Sequence, residues 1–156
     1  MPLIDLPHEC RNLVTRRNKA AMLLVPDLRE QHAHAARTAA ATGGFHLDVL
    51  DHFQAHPELA SRIAVFGIND LLELVASHRD HPLLVVSGLE FLLAIWLSQG
   101  DARQVKRDLS RRIELWERTP AFLLVTGHDP VLATYQPERH TGGHLVMELS
   151  HTAALS

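Results

Sequence analysis

Ala21-Met-Leu-Leu-Val25 runs straight into Pro26-Asp-Leu-Arg-Glu-Gln-His-Ala33. Five consecutive apolar residues predict a strand buried on both faces. Pro26 ends that strand, and Asp27 is placed to cap the next helix. The alanines up to Ala41 predict that this helix packs closely on a sheet, and Gly43-Gly44 stops it. A buried strand feeding such a helix is the building unit of a parallel α/β sheet.

The rest of the chain repeats the unit. Phe45, Leu47 and Val49 alternate, which predicts a second strand over 45–50. Ile68, Leu71, Leu72 and Val75 fall on one face of a helix opened by Asn69 or Asp70. Pro82 introduces a strand over 83–86, and an apolar element over 91–97 stops at Gly100. A charged helix spans 101–118, with Val105, Leu109, Ile113 and Trp116 as its apolar stripe. Pro120 leads to a strand over 122–125, and a Pro-, Gly- and His-rich loop to a last strand over 145–149. Residues 57–66 fit neither period. The order predicts one α/β domain over 1–156, a three-layer αβα sandwich around a mostly parallel sheet of about five strands. Residues 1–18 form an arm or a helix ahead of it. Ligands of such sheets bind at the carboxyl ends of the strands.

The strand–helix junction after Val25 is where a phosphate-binding loop would lie. That loop reads G-x-x-x-x-G-K-[ST], because glycine amides wrap the phosphates and a lysine reaches them. On this octet the two glycines become Pro26 and Gln31, the lysine becomes His32, and the magnesium-holding hydroxyl becomes Ala33. The second buried strand, Leu83-Leu-Val-Val-Ser-Gly-Leu-Glu90, has Ser87 where a nucleotide hydrolase ends in a metal-ordering aspartate, with Glu90 three residues on. The third, Phe122-Leu-Leu-Val-Thr-Gly-His-Asp129, offers Thr126 or His128 at the position that would sense a γ-phosphate. Pro26, Arg29, Gln31, His32, Ala33, Ser87, Glu90, Thr126 and His128 are thus the residues of a degenerate nucleotide site. Its phosphate and metal halves fail together, which argues against hydrolysis. ATP with magnesium is not expected as a cofactor, and no residue is assigned a catalytic role.

Composition narrows the classes further. The 156 residues are 46% hydrophobic and 21% charged, with a net charge of −3. Those values suit a globular domain and call for neither a membrane nor a nucleic acid. Cys10 is the single cysteine, so no internal disulfide can form. No secretory leader is visible, and a cytoplasmic location is expected. Of the 12 histidines, His32 and His34 point about 160° apart on a helix and cannot share a metal. His78 and His81 sit at a helix end, and His140 and His144 flank Gly142-Gly143. No pair has the spacing of a local metal motif, so no metal site is expected. No nucleophile elbow surrounds Ser87.

Two basic groups stand out. Arg103, Arg107 and Arg111 recur every four residues beside Lys106; Arg16, Arg17 and Lys19, with Arg11, precede the first strand. Either could meet DNA or an acidic partner. Asp101, Asp108, Glu114 and Glu117 dilute the first group. Trp96 is either an interface anchor or a core residue.

With these motifs the chain resembles degenerate P-loop NTPases of the RecA/AAA type over roughly residues 15–150. Within that group it is most similar to the small P-loop protein of type 3 BREX phage-defence systems, whose second motif resembles D-N-I-E-L-L. The counterpart here is Ser87-Gly-Leu-Glu-Phe-Leu-Leu93. The chain is also similar in architecture to SOS cell-division inhibitors, which keep a RecA-like core without the loop. These resemblances imply a pseudo-NTPase acting through a protein partner, in defence the larger subunit of a complex, and self-assembly is common in such folds. An ATPase with non-standard ligands and a DNA-binding accessory module are the alternatives.

Overall fold

A computed structural model describes residues 3–139 and 141–155. Five parallel strands form one sheet: β1 (Ala20–Val25), β2 (Phe45–Asp48), β3 (Leu83–Ser87), β4 (Ala121–Gly127) and β5 (Val146–Glu148), in the spatial order β2-β3-β4-β1-β5. The helices are α1 (Leu6–Thr15), α2 (Gln31–Thr42), α3 (Val49–Ala55), α4 (Pro57–Ala60), α5 (Ile68–Ala76), α6 (Glu90–Gln99), α7 (Ala102–Glu114) and α8 (Pro130–Ala133). The three-layer α/β sandwich expected from the sequence is therefore present.

Alternation along the buried strands divides the core in two. Ala21, Leu23 and Val25 of β1 join Val85, Leu123 and Val125 under α1 and α2, whose contacts are Leu6, Cys10, Leu13, Ala35 and Ala39. The small residues of α2 let that helix lie close to the sheet. Met22, Leu24, Leu84, Val86 and Phe122 face the other way, onto α3, α5, α6 and α7 through Phe53, Val75, Leu92, Leu109 and Ile113. All six side chains of β1 are buried, and so are all five of β3.

Several boundaries depart from the sequence reading. A 3-10 turn, Leu28–Glu30, separates Pro26 from α2, and Asp27 accepts from the Arg29 amide at 3.0 Å to start it. The second strand stops at Asp48, because the Asp48 carboxylate caps α3 by accepting from the Asp51 amide at 3.1 Å. Residues that fitted neither period form α4 and a 3-10 turn, Ile63–Val65. The charged helix ends at Glu114, short of 118. Trp96 is buried and donates to the Phe66 carbonyl at 2.8 Å, so it belongs to the core. The N-terminal segment is no loose arm: α1 is packed, with Pro7 in its first turn and Asp5 as its cap.

The topology creates a switch point. The connection leaving β1 crosses the α1/α2 face, whereas those leaving β3 and β4 cross the opposite face. At such a reversal a crevice opens outside the carboxyl ends of the strands. It lies between β1 and β4, with β3 next in order.

Candidate functional site

Three of the side chains expected at a degenerate nucleotide site meet in this crevice. Gln31 opens α2, Glu90 opens α6, and Thr126 lies near the end of β4. The Gln31 side-chain amide donates to Glu90 and, at 3.2 Å, to the Val125 carbonyl. Its side-chain oxygen accepts from the Gly88 amide at 3.2 Å. The Thr126 hydroxyl lies 3.2 Å from both Glu90 oxygens. Gln31 is buried and Thr126 fully so. Donors and acceptors at the ends of β1, β3 and β4 are therefore satisfied by one another, as buried polar groups must be. Leu28 closes the crevice from above: a Cβ on Gly127 would lie 2.7 Å from Leu28 Cδ2.

The start of α2 carries the wrong charge for a phosphate. Anions are favoured at a helix N-terminus, and two carboxylates already stand there. Glu30 is the residue before α2 and reaches His34 at 3.4 Å; Asp27 pairs with Arg29 at 3.1 Å. The Arg29 guanidinium holds the Asp27 carboxyl below its usual range. Pro26, Arg29 and Ala33 are exposed and outside the crevice network. No glycine occurs between Pro26 and Gly43 to let a backbone wrap an anion.

Ser87 and His32 belong to a second cluster beside the first. Ser87 Oγ lies 2.7 Å from His46 Nε2, and His32 Nδ1 lies 2.8 Å from Asp48 Oδ2. The two imidazole rings are 4.9 Å apart. Burial, then the neighbouring His32, lowers the His46 pKa and favours the neutral ring. Gly88 adopts φ 74°, and a Cβ there would lie 2.5 Å from Asp48 Oδ1. Only glycine lets the turn after β3 approach Asp48 so closely. His128 reaches neither cluster; it pairs with Glu148 of β5 at 2.9 Å.

The basic residues are largely engaged within the fold. Arg16 is buried, with bonds to the Asn18 and His144 carbonyls at 2.6 and 2.9 Å. Lys19 caps the end of α1 through the Val14 and Arg16 carbonyls at 2.8 and 3.0 Å. Arg17 pairs with Glu117, Lys106 with Asp129, and Arg111 with Glu138. Arg103, Arg107 and Arg111 line an open groove with Tyr135 and Glu138. Cys10 is buried, which pushes its thiol up to about 12 and leaves it unreactive at neutral pH. His140 lies outside the described residues.

Sequence reasoning singled out Gln31, Glu90, Thr126, Ser87 and His32 but not Gly88, His46 or Asp48. A signal for the last two was present. In a strand over 45–50, His46 and Asp48 project to one face, opposite Phe45, Leu47 and Val49. What the chain could not show locally is that the first turn of α2 packs above that face.

No protein-family model matches the chain, and no curated protein matches its sequence. Among the described residues no helix is long and apolar enough to cross a membrane.

Proposed function

We propose that this protein is a pseudo-NTPase, a P-loop-like domain that hydrolyses no nucleotide and works through protein contacts in a bacterial defence or stress-response complex. The observation that carries the reading is the closed network of Gln31, Glu90, Thr126 and the Gly88 amide. In a hydrolase these strand ends keep polar groups free for phosphate, metal and water. Here a glutamine from the helix start fills the space and binds the acid. The carboxylates of Asp27 and Glu30 add repulsion against a phosphate chain.

The resemblance to the small P-loop protein of type 3 BREX systems supplies the biological setting. Exposed apolar side chains at the same edge support a partner surface. Leu28 follows β1 and is 53% exposed; Leu50 follows β2 and is 43% exposed.

Thermal unfolding with and without magnesium-ATP tests the first half of the proposal. A ligand that binds only the folded state must raise the midpoint. No shift is expected at millimolar nucleotide. A reproducible rise that disappears in Glu90→Ala would favour an ATPase with non-standard ligands instead. Affinity capture from the native host, with Leu28→Glu as the matched control, tests the second half. A partner retained by the wild type and lost in the variant is the expected result.

A further inference from the structure

Three side chains beside the closed crevice bring the donor types of a metal centre close together. One ligand atom from each of His32, His46 and Asp48 lies within 4.8 Å of the other two. His46 and Asp48 are two apart on β2 and so project to one side of the sheet. That side faces α1 and α2, because Leu47 between them packs on the opposite layer. His32 comes down from the first turn of α2 and already touches Asp48.

We propose that His32, His46 and Asp48 bind a divalent first-row transition-metal ion of the zinc class. Two imidazoles and one carboxylate form a donor set suited to such ions and unsuited to calcium or magnesium. Ligands about 2.0–2.2 Å from zinc lie about 3.3 Å from one another in a tetrahedron. The His32–Asp48 contact at 2.8 Å is already near that value. The remaining closure falls to His32, whose side chain is 63% exposed.

The surroundings select the ligand atoms. Ser87 Oγ lies 2.7 Å from His46 Nε2, which leaves Nδ1 as the His46 ligand atom, with Ser87 as the outer partner of the ring. Asp48 Oδ1 is committed to the α3 cap, which leaves Oδ2 for the ion. Three protein ligands leave a fourth position open to water or to a side chain from a partner. The site draws on no residue of the Gln31–Glu90–Thr126 network, so this inference goes beyond the pseudo-NTPase reading. A nucleotide-induced shift lost in Glu90→Ala tests that reading, whereas zinc uptake lost in His46→Gln tests this trio.

Isothermal titration of tag-free, chelator-treated protein with zinc chloride tests the proposal, with cobalt(II) absorption as a report of coordination geometry. One zinc per chain is expected, with the intense visible bands of tetrahedral cobalt. His32→Gln and His46→Gln should each weaken binding by about 100-fold or more, since even outer partners are worth about 10- to 100-fold. Asp48→Asn keeps the helix cap and isolates the loss of a charged ligand. His34→Gln, two residues from His32 but outside the trio, should bind like the wild type. Circular dichroism establishes that each variant is folded. Zinc affinity unchanged by both His32→Gln and His46→Gln, or no stoichiometric uptake by the folded wild type, would overturn the proposal.

Discussion

Gln31 binds Glu90 across the crevice between α2 and α6, and this one contact joins the two layers that flank the sheet. A hydrogen bond to a charged acceptor contributes about 1.5–3 kcal/mol. Gln31→Ala should therefore lower stability by about 2 kcal/mol in urea unfolding, because it also leaves the Gly88 amide and the Val125 carbonyl without their partner. In a double-mutant cycle with Glu90→Ala, the coupling should be on the order of 1–2 kcal/mol. A coupling near zero would mean that the two side chains act independently, and the closed crevice would lose its main support.

Gly88 and Gly43 both adopt left-handed backbone, at φ 74° and 71°, yet their surroundings differ. Nothing lies within 4 Å of a Cβ built on Gly43. Gly43→Ala should thus cost only the backbone penalty, about 1 kcal/mol. Gly88→Ala adds a collision with Asp48 and threatens the α3 cap, itself worth about 1 kcal/mol. We expect Gly88→Ala to cost about 2–3 kcal/mol in the same assay. Equal losses for the two variants would show that Asp48 moves aside freely.

The parallel sheet was legible because β1, β3 and β4 are continuous apolar runs bounded by Pro, Gly or charge. A strand buried on both faces leaves that signature whatever its neighbours do. The end of β2 was not legible to the residue, since Asp48 serves the strand and the next helix at once. Gln31, Glu90 and Thr126 were legible as positions on a template. Their mutual bonding was not, because it depends on β4 lying between β1 and β3. The His32–His46–Asp48 trio was hidden for the same reason: its members come from two elements that meet only in the folded chain.

Arg16, a surface cation by its sequence pattern, is a buried joint in the fold. Its guanidinium links the Asn18 carbonyl and side chain to the Ala20 and His144 carbonyls, and Nη1 lies 4.0 Å from Glu9. Asn18 in turn donates to the Ile113 and Glu114 carbonyls at 2.9 Å, where α7 ends. Removing the charge orphans several buried acceptors at once, so Arg16→Gln should cost about 3 kcal/mol or more. Glu9→Gln keeps a polar side chain that meets Arg16 only at 4.0 Å, and should cost less than Arg16→Gln. Urea midpoints of the two variants check the ranking, and the reverse order would place the joint's strength in the ion pair.

Tyr135 sets the alkaline limit of the same region. Its hydroxyl donates to Glu114 Oε1 at 2.7 Å, and the buried Glu114 carboxylate also accepts from the Glu138 and Arg139 amides. Burial, then the bond to Glu114, raises the phenol from 10.0 to about 12. A raised folded-state pKa means that the unfolded chain loses its proton first as pH climbs. The stabilisation is thus complete below about pH 10 and is lost as pH rises through about 12. Tyr135→Phe should lose about 2 kcal/mol at neutral pH with the charged hydrogen bond. The gap between wild type and variant should then narrow from pH 10 upward. Paired denaturation curves at neutral pH and above about pH 10 measure that gap, and a constant gap would place the Tyr135 contribution in packing, not in its bond to Glu114.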